Sequence, residues 1–190
     1  MDYLDEELLE AKREVERQKH TTLETGIYAG EELITFIPTA LPDTSVRIPF
    51  PKQFVVMPEE VRRVKYPSAN APRYIVTSLD STVNICVNLL PVILQEGELN
   101  AMSVQFQTAL KNFNPSIAIK RQSGGQTEQG NEMEWFEYKG YQLDGQSYNR
   151  VYLIKMRKYV MHGIFSCMPK DENDWENIVE KIFAAVEEEL

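Results

Sequence analysis

Two patterns of apolar and polar positions divide the last third of the chain. In 159–168 the odd positions are Tyr159, Met161, Gly163, Phe165 and Cys167, and the even ones Val160, His162, Ile164, Ser166 and Met168. Both faces are largely apolar, which predicts a strand covered on both sides. The run 147–157 predicts a neighbouring strand. Beyond them, 174–189 carries Trp175, Ile178, Val179, Ile182, Phe183 and Val186. Their i, i+3, i+4, i+7, i+8, i+11 spacing predicts an amphipathic helix, with Asn173 and Glu176 as a capping pair at its start.

Earlier in the chain, residues 1–19 predict a helix with a thin stripe of Leu4, Leu8, Ala11 and Val15 on a charged rod. The segment 21–33 reads as a joint. Runs at 33–38 and 45–50 predict a hairpin around 41-LPDT-44, and Pro49 and Pro51 place it at an edge because proline cannot donate to a ladder. A short helical turn is expected after Met57, with Pro58 at its first position. The runs 73–78 and 82–90 predict a second hairpin. A helix follows from Glu98 to Phe113, with Leu99, Met102, Phe106, Ala109, Leu110 and Phe113 on one side and Asn114-Pro115 as its stop. Strands at 116–121 and 131–138 precede the final pair, with glycine-bearing turns at 122–130 and 139–145.

Strands in succession joined by short turns, with two long amphipathic helices to cover them, define an α+β class. The expected architecture is a three-layer α/β/α sandwich with a largely antiparallel central sheet. Residues 1–32 form a charged N-terminal helix and joint, and residues 33–190 a single α+β domain. At 190 residues, with 43% hydrophobic and 26% charged residues, the chain has the composition of an ordinary globular protein.

The net charge of −9 and a pI near 4.9 set a repulsive average field for a polyanion, so nucleic acid is not an expected partner. No apolar run approaches the ~20 residues that span a bilayer, and no membrane partner is expected. The charged start lacks the pattern of a secretory signal, and two cysteines in apolar settings suit reduced thiols. Cytoplasmic location is the resulting expectation.

Candidate chemistry is sparse. His162 and Cys167 lie five apart on one strand and so point to opposite faces. Cys86 and His162 are the pair that cross-strand packing could bring together, and a small hydrolase using that pair, or an unseen pair of carboxylates, is the alternative to a non-enzymatic reading. Neither C-x-x-C nor H-x-x-x-H spacing occurs. The acidic 171-DEND-174 suits a helix start, and 122-QSGGQTEQG-130 lacks the Lys-Ser or Lys-Thr of a phosphate loop. No metal or cofactor is expected. Among the aromatics of the C-terminal strands, Tyr138, Tyr141 and Tyr148 are the candidates for a surface patch. Leu4, Leu8 and Val15 are candidates for docking or for pairing two chains.

The segment 45–90, with its strand, its 65-KYPSANAP-72 loop and its 84-NI-85 strand, resembles the opening of small bacterial proteins with the Mog/PsbP-like fold. The stretch 135–169, followed by Trp175 and its helix, is similar to their second half. That bacterial group has no settled biochemical role, and the resemblance leaves residues 1–32 without a counterpart. The wider fold includes Ran-binding import factors, the PsbP subunit of photosystem II, DcrB-like lipoproteins and chaperones of secreted effectors. What the resemblance implies is a non-enzymatic protein-interaction or chaperone-adaptor role with a protein partner.

Overall fold

The computed structural model describes residues 3–68, 71–142 and 145–189, with side chains described from residue 7 onward except at 142. The chain opens with α1 (Tyr3–Gln18), followed by a small antiparallel sheet of β1 (Thr21–Thr22), β2 (Gly26–Ala29) and β3 (Glu32–Ile34). Next come β4 (Phe36–Ala40), β5 (Val46–Pro51), β6 (Val55–Val56), α2 (Glu59–Lys65), β7 (Tyr74–Thr77), β8 (Asn84–Leu90) and α3 (Glu98–Phe113). The second half holds β9 (Ile119–Gln126), β10 (Glu132–Gln142), β11 (Gly145–Lys155), β12 (Val160–Cys167), α4 (Glu172–Ala184) and β13 (Glu187–Glu188).

Seven strands form the central sheet in the order β6-β7-β8-β12-β11-β10-β9, with every pairing antiparallel. β9 to β12 is a meander. The one long crossover joins β8, beside β12, to β9 at the far edge, and α3 is the segment that crosses. On that face Leu99, Met102 and Phe106 of α3 pack with Leu153 and Val160. The opposite face presents Tyr148, Tyr152, Met161, Phe165, Ile85 and Val87 to Trp175, Ile178, Val179, Ile182 and Phe183 of α4. Each large apolar side chain buried there contributes about 1.5–3 kcal/mol, so α4 supplies a large part of the fold's stability. The α+β three-layer reading is therefore the observed one, with a helix on each face of the doubly apolar strands.

Local differences from the sequence reading have physical causes. The segment 21–34 is a small sheet, and Ile27 and Ile34 enter the main core. The prolines of β5 sit in the middle strand of a third sheet, β13-β5-β4. They are tolerated because β13 pairs only with Val46 and Arg47 and stops before Pro49. Gly124 and Gly125 belong to β9, and the reversal is tighter, closed by Thr127 N–H on Asn131 O at 2.9 Å. A Cβ at Gly124 would lie 2.6 Å from Glu134 Oε1, so glycine there gives the cross-strand carboxylate its room.

The last helix also differs at both ends. A 3-10 turn over Pro169–Asp171 starts it at Glu172, and no side chain caps it. Asn173 thus falls inside the helix and Glu176 is drawn to Arg121, so the expected capping pair does not form. The helix ends at Ala184, since the following chain is pulled into β13 against β5 while Val186 stays buried.

Candidate functional site

Alternation in β10 and β11 brings charge into the layer beneath α4. Glu137 shares its face with Met133 and Trp135, and pairs across the ladder with Arg150, which lies between Tyr148 and Tyr152 on the neighbouring strand. Both are almost completely buried, Glu137 at 0% exposure and Arg150 at 1%. Glu137 accepts hydrogen bonds from Tyr148 Oη and from Arg121 Nε on the edge strand. Arg150 Nε lies 4.0 Å from Glu137 Oε2. Its guanidinium stacks 3.7 Å above the Trp135 ring, and its Nη1 approaches the Glu176 carbonyl at 3.5 Å.

α4 completes this cluster. Glu172, Glu176 and Glu180 recur every four residues along one stripe of the helix. They meet Lys139 at 3.2 Å, Arg121 at 2.8 Å and Arg150 at 3.8 Å respectively. The acidic start of the helix is thus half of an ion ladder that ties it to the sheet. Burial, reinforced by the Glu137 carboxylate, raises the Tyr148 phenol above its ordinary value, and the bond to Glu137 raises the Arg121 guanidinium. With its carboxylate bonded by Tyr148 and Arg121 and beside a second cation, Arg150, Glu137 holds the layers together.

The cysteine and histidine pair does not assemble. Cys86 and His162 do share the α3 face, but Cys86 stands opposite Ile164 and His162 opposite Asn88, two positions apart in register. The Cys86 thiol donates to Tyr66 Oη at 3.4 Å, and burial pushes it up to about 12. His162 packs against the Phe106 ring with centroids 4.8 Å apart, and burial lowers its pKa to about 4. A neutral thiol and a weakly basic imidazole have no partner in each other. Cys167 lies on the opposite face in the α4 core, also raised to about 12 by burial and by the acidic groups Asp171, Glu172 and Asp174. The structure therefore does not support the hydrolase alternative. Among the described residues no three His, Cys, Asp or Glu side chains come together as a metal site.

The tyrosines separate. Tyr148 is wholly buried on the α4 face, which corrects its expected place on the surface: the inward phase of β11 and its bond to Glu137 hold it inside. Tyr138 is partly buried on the other face, with its phenol raised to about 12 by burial. Tyr141 stands 74% exposed at the end of β10. The register row Tyr138, Asn149, Ser166, Asn84, Thr77 crosses five strands, and just beyond it lie Tyr141, Met168 and the turn after β7. That turn exposes Leu79 at 81%, and Met168 is 38% exposed.

The tip of that turn is fixed by its own hydrogen bonds. Asp80 accepts from Ser78 Oγ and from the Thr82 backbone, which lowers its pKa, and Ser81 adopts a left-handed φ of 60°. Beside it a hollow of about 450 Å³ is lined by Lys65, Ser81, Gln146, Ser147, Cys167 and Met168. The sequence reading found Tyr141 here but missed Leu79 and Met168, which single-strand periodicity cannot place at one sheet end. Of the α1 candidates, Leu8 and Val15 are exposed at 55% and 57%, and the Leu4 side chain lies outside the described residues.

No protein-family model matches the sequence, and no curated protein matches it either. Solved structures do resemble it. The chain is similar to the cyanobacterial PsbP protein CyanoP of Synechocystis sp. PCC 6803, with a TM-score of 0.61 at 9% identity, covering 86% of this chain and 98% of that one. It is also similar to LpqN of Mycobacterium tuberculosis, described as involved in cell envelope biogenesis, with a TM-score of 0.51 at 13% identity over 88% of this chain and 96% of that one. These likenesses establish a PsbP-like fold.

Proposed function

We propose that this chain is a non-enzymatic protein-interaction or chaperone-adaptor protein of the cytoplasm, engaging a protein partner through the sheet end that exposes Leu79, Tyr141 and Met168. The observation that carries the reading is a division of labour among side chains. Groups able to do chemistry are engaged in the fold: Cys86 with Tyr66, His162 with Phe106, and Glu137 with Arg121 and Tyr148. Large apolar side chains meanwhile stand exposed at one end of a rigid sheet, where such residues anchor partners. Two buried free cysteines fit a reducing compartment, and the −9 charge disfavours nucleic acid. PsbP-like neighbours add the fold to this reading.

The test compares three tagged chains in native lysate of the source organism: wild type, Cys86→Ala with His162→Asn, and Leu79→Asp with Tyr141→Asp. A stoichiometric protein partner is expected with the first two and is lost, by tenfold or more, with the third. Recovery of no partner across growth conditions, or a hydrolytic activity that disappears with Cys86 and His162, contradicts the reading.

A further inference from the structure

From residue 7 to residue 16 every side chain of α1 is exposed. Among the described residues the helix is held at its C-terminal end, where Arg17 Nη2 donates to Gly30 O and pairs with Glu31, each at 2.9 Å, and His20 Nδ1 is within hydrogen-bond distance of Thr25 O. A sixteen-residue helix whose side chains are exposed over residues 7–16 is marginal in water. Its apolar stripe calls for a partner.

The stripe has the spacing of a coiled-coil seam. Leu8, Ala11 and Val15 are separated by three and four residues, and Leu4 occupies the preceding step of the same register. With Leu8 and Val15 at a positions, and Leu4 and Ala11 at d positions, Glu7 and Glu14 fall at g, and Asp5, Lys12 and Lys19 at e. In a parallel, in-register pair each g residue faces the e residue five positions on in the other helix. Glu7 then meets Lys12 of the second copy, twice by symmetry, and Glu14 lies towards Lys19. Neither Glu7, Lys12 nor Glu14 takes part in an ion pair among the described residues, whereas Lys19 is already held by Glu16 at 2.7 Å. An antiparallel pair would instead set Glu7 against Glu14 twice, and its Asp5 to Lys12 attractions would only offset that repulsion.

We infer that α1 is a self-pairing helix, which joins two copies of this chain through a parallel, in-register seam of Leu4, Leu8, Ala11 and Val15 oriented by the Glu7 to Lys12 pairs. Because each helix is anchored at its C-terminal end, the two domains then sit side by side at one end of the seam. This inference is independent of the proposed function, since the sheet end is left uncovered.

Sedimentation of the full chain at rising concentration tests it. The mass is expected to climb from 22.0 kDa towards twice that value. Val15→Glu holds the chain at the monomer mass, with an unchanged circular dichroism melt of the domain because Val15 touches none of the core. Glu7→Lys or Lys12→Glu alone weakens the dimer roughly tenfold, and the two together restore it. A monomer at every concentration overturns the inference, whether or not a different protein binds α1. So does a dimer that survives Val15→Glu. Tightening by Glu7→Lys, the outcome of an antiparallel seam, overturns it as well.

Discussion

Urea unfolding of the Glu137→Ala variant is expected to show a loss of about 3–5 kcal/mol, the range for removing one member of a buried ion pair. The cost arises at Arg150, which is 1% exposed and would keep its charge with Glu180 at 3.8 Å, the Glu176 carbonyl and the Trp135 face as its remaining neighbours but no buried counter-charge. Arg121→Ala removes a half-exposed partner of the same carboxylate and is expected to cost less than Glu137→Ala, by at least 1 kcal/mol. Replacing Glu137 and Arg150 together by methionine removes both desolvation penalties and is expected to recover much of the loss. Equal and small effects in all three variants would show that the cluster is not what couples α4 to the sheet.

Gly163→Ala is expected to cost about 3 kcal/mol, at the upper end of the range for overpacking. Gly163 sits in β12 between Tyr152 and Val87 of the flanking strands. A Cβ there would press into Cε1 of Phe183 and lie 2.6 Å from its Cζ. The ring cannot turn aside, because it stacks on Tyr152 with centroids 4.1 Å apart and planes 15° from parallel. The one residue of β12 without a side chain is the seat of the α4 aromatic. A Phe183→Leu change in the same chain relieves the clash, so the two substitutions together are expected to cost less than their sum. Strict additivity would place the helix elsewhere.

These two positions show where reading a sequence stops. Apolar stripes at helical spacing located α3 and most of α4, and the doubly apolar β12 announced a layer on each side. The α3 stripe packs through Leu99, Met102 and Phe106, while Phe113 at its end stands 90% exposed. Charge phase carried a further signal: Glu137 follows Met133 and Trp135 in one phase of β10, and Arg150 falls between Tyr148 and Tyr152 in β11. An ionised residue inside an apolar phase calls for a buried counter-charge. The partners of Glu137 came from the two flanking strands, β9 and β11, which only pairing register brings together. Gly163 looked like one more neutral position on a strand, since nothing in a linear pattern tells which aromatic from a distant helix will occupy the space above it.

The same limit explains the site. Tyr148 was placed near a turn by its number, and the phase of its strand turned it inward. Cys86 and His162 do lie on neighbouring strands, as a cross-strand approach requires, yet a shift of two positions in register gives each a different partner. Leu79 and Met168 share a sheet end with Tyr141 only through the order β7-β8-β12-β11-β10.

The central claim is that the side chains with chemical potential are packing material, and the titration of His162 tests it most directly. Its folded pKa is lowered by burial, so the fold prefers the neutral ring. The stability tied to that preference is present above the ordinary value of 6.5 and is lost as pH falls from there towards about 4. Imidazole resonances followed by NMR through acid pH are expected to report a midpoint near 4 that does not move in Cys86→Ala. A midpoint at or above 6.5, falling when Cys86 is removed, would reveal a thiolate and imidazolium pair and contradict the account.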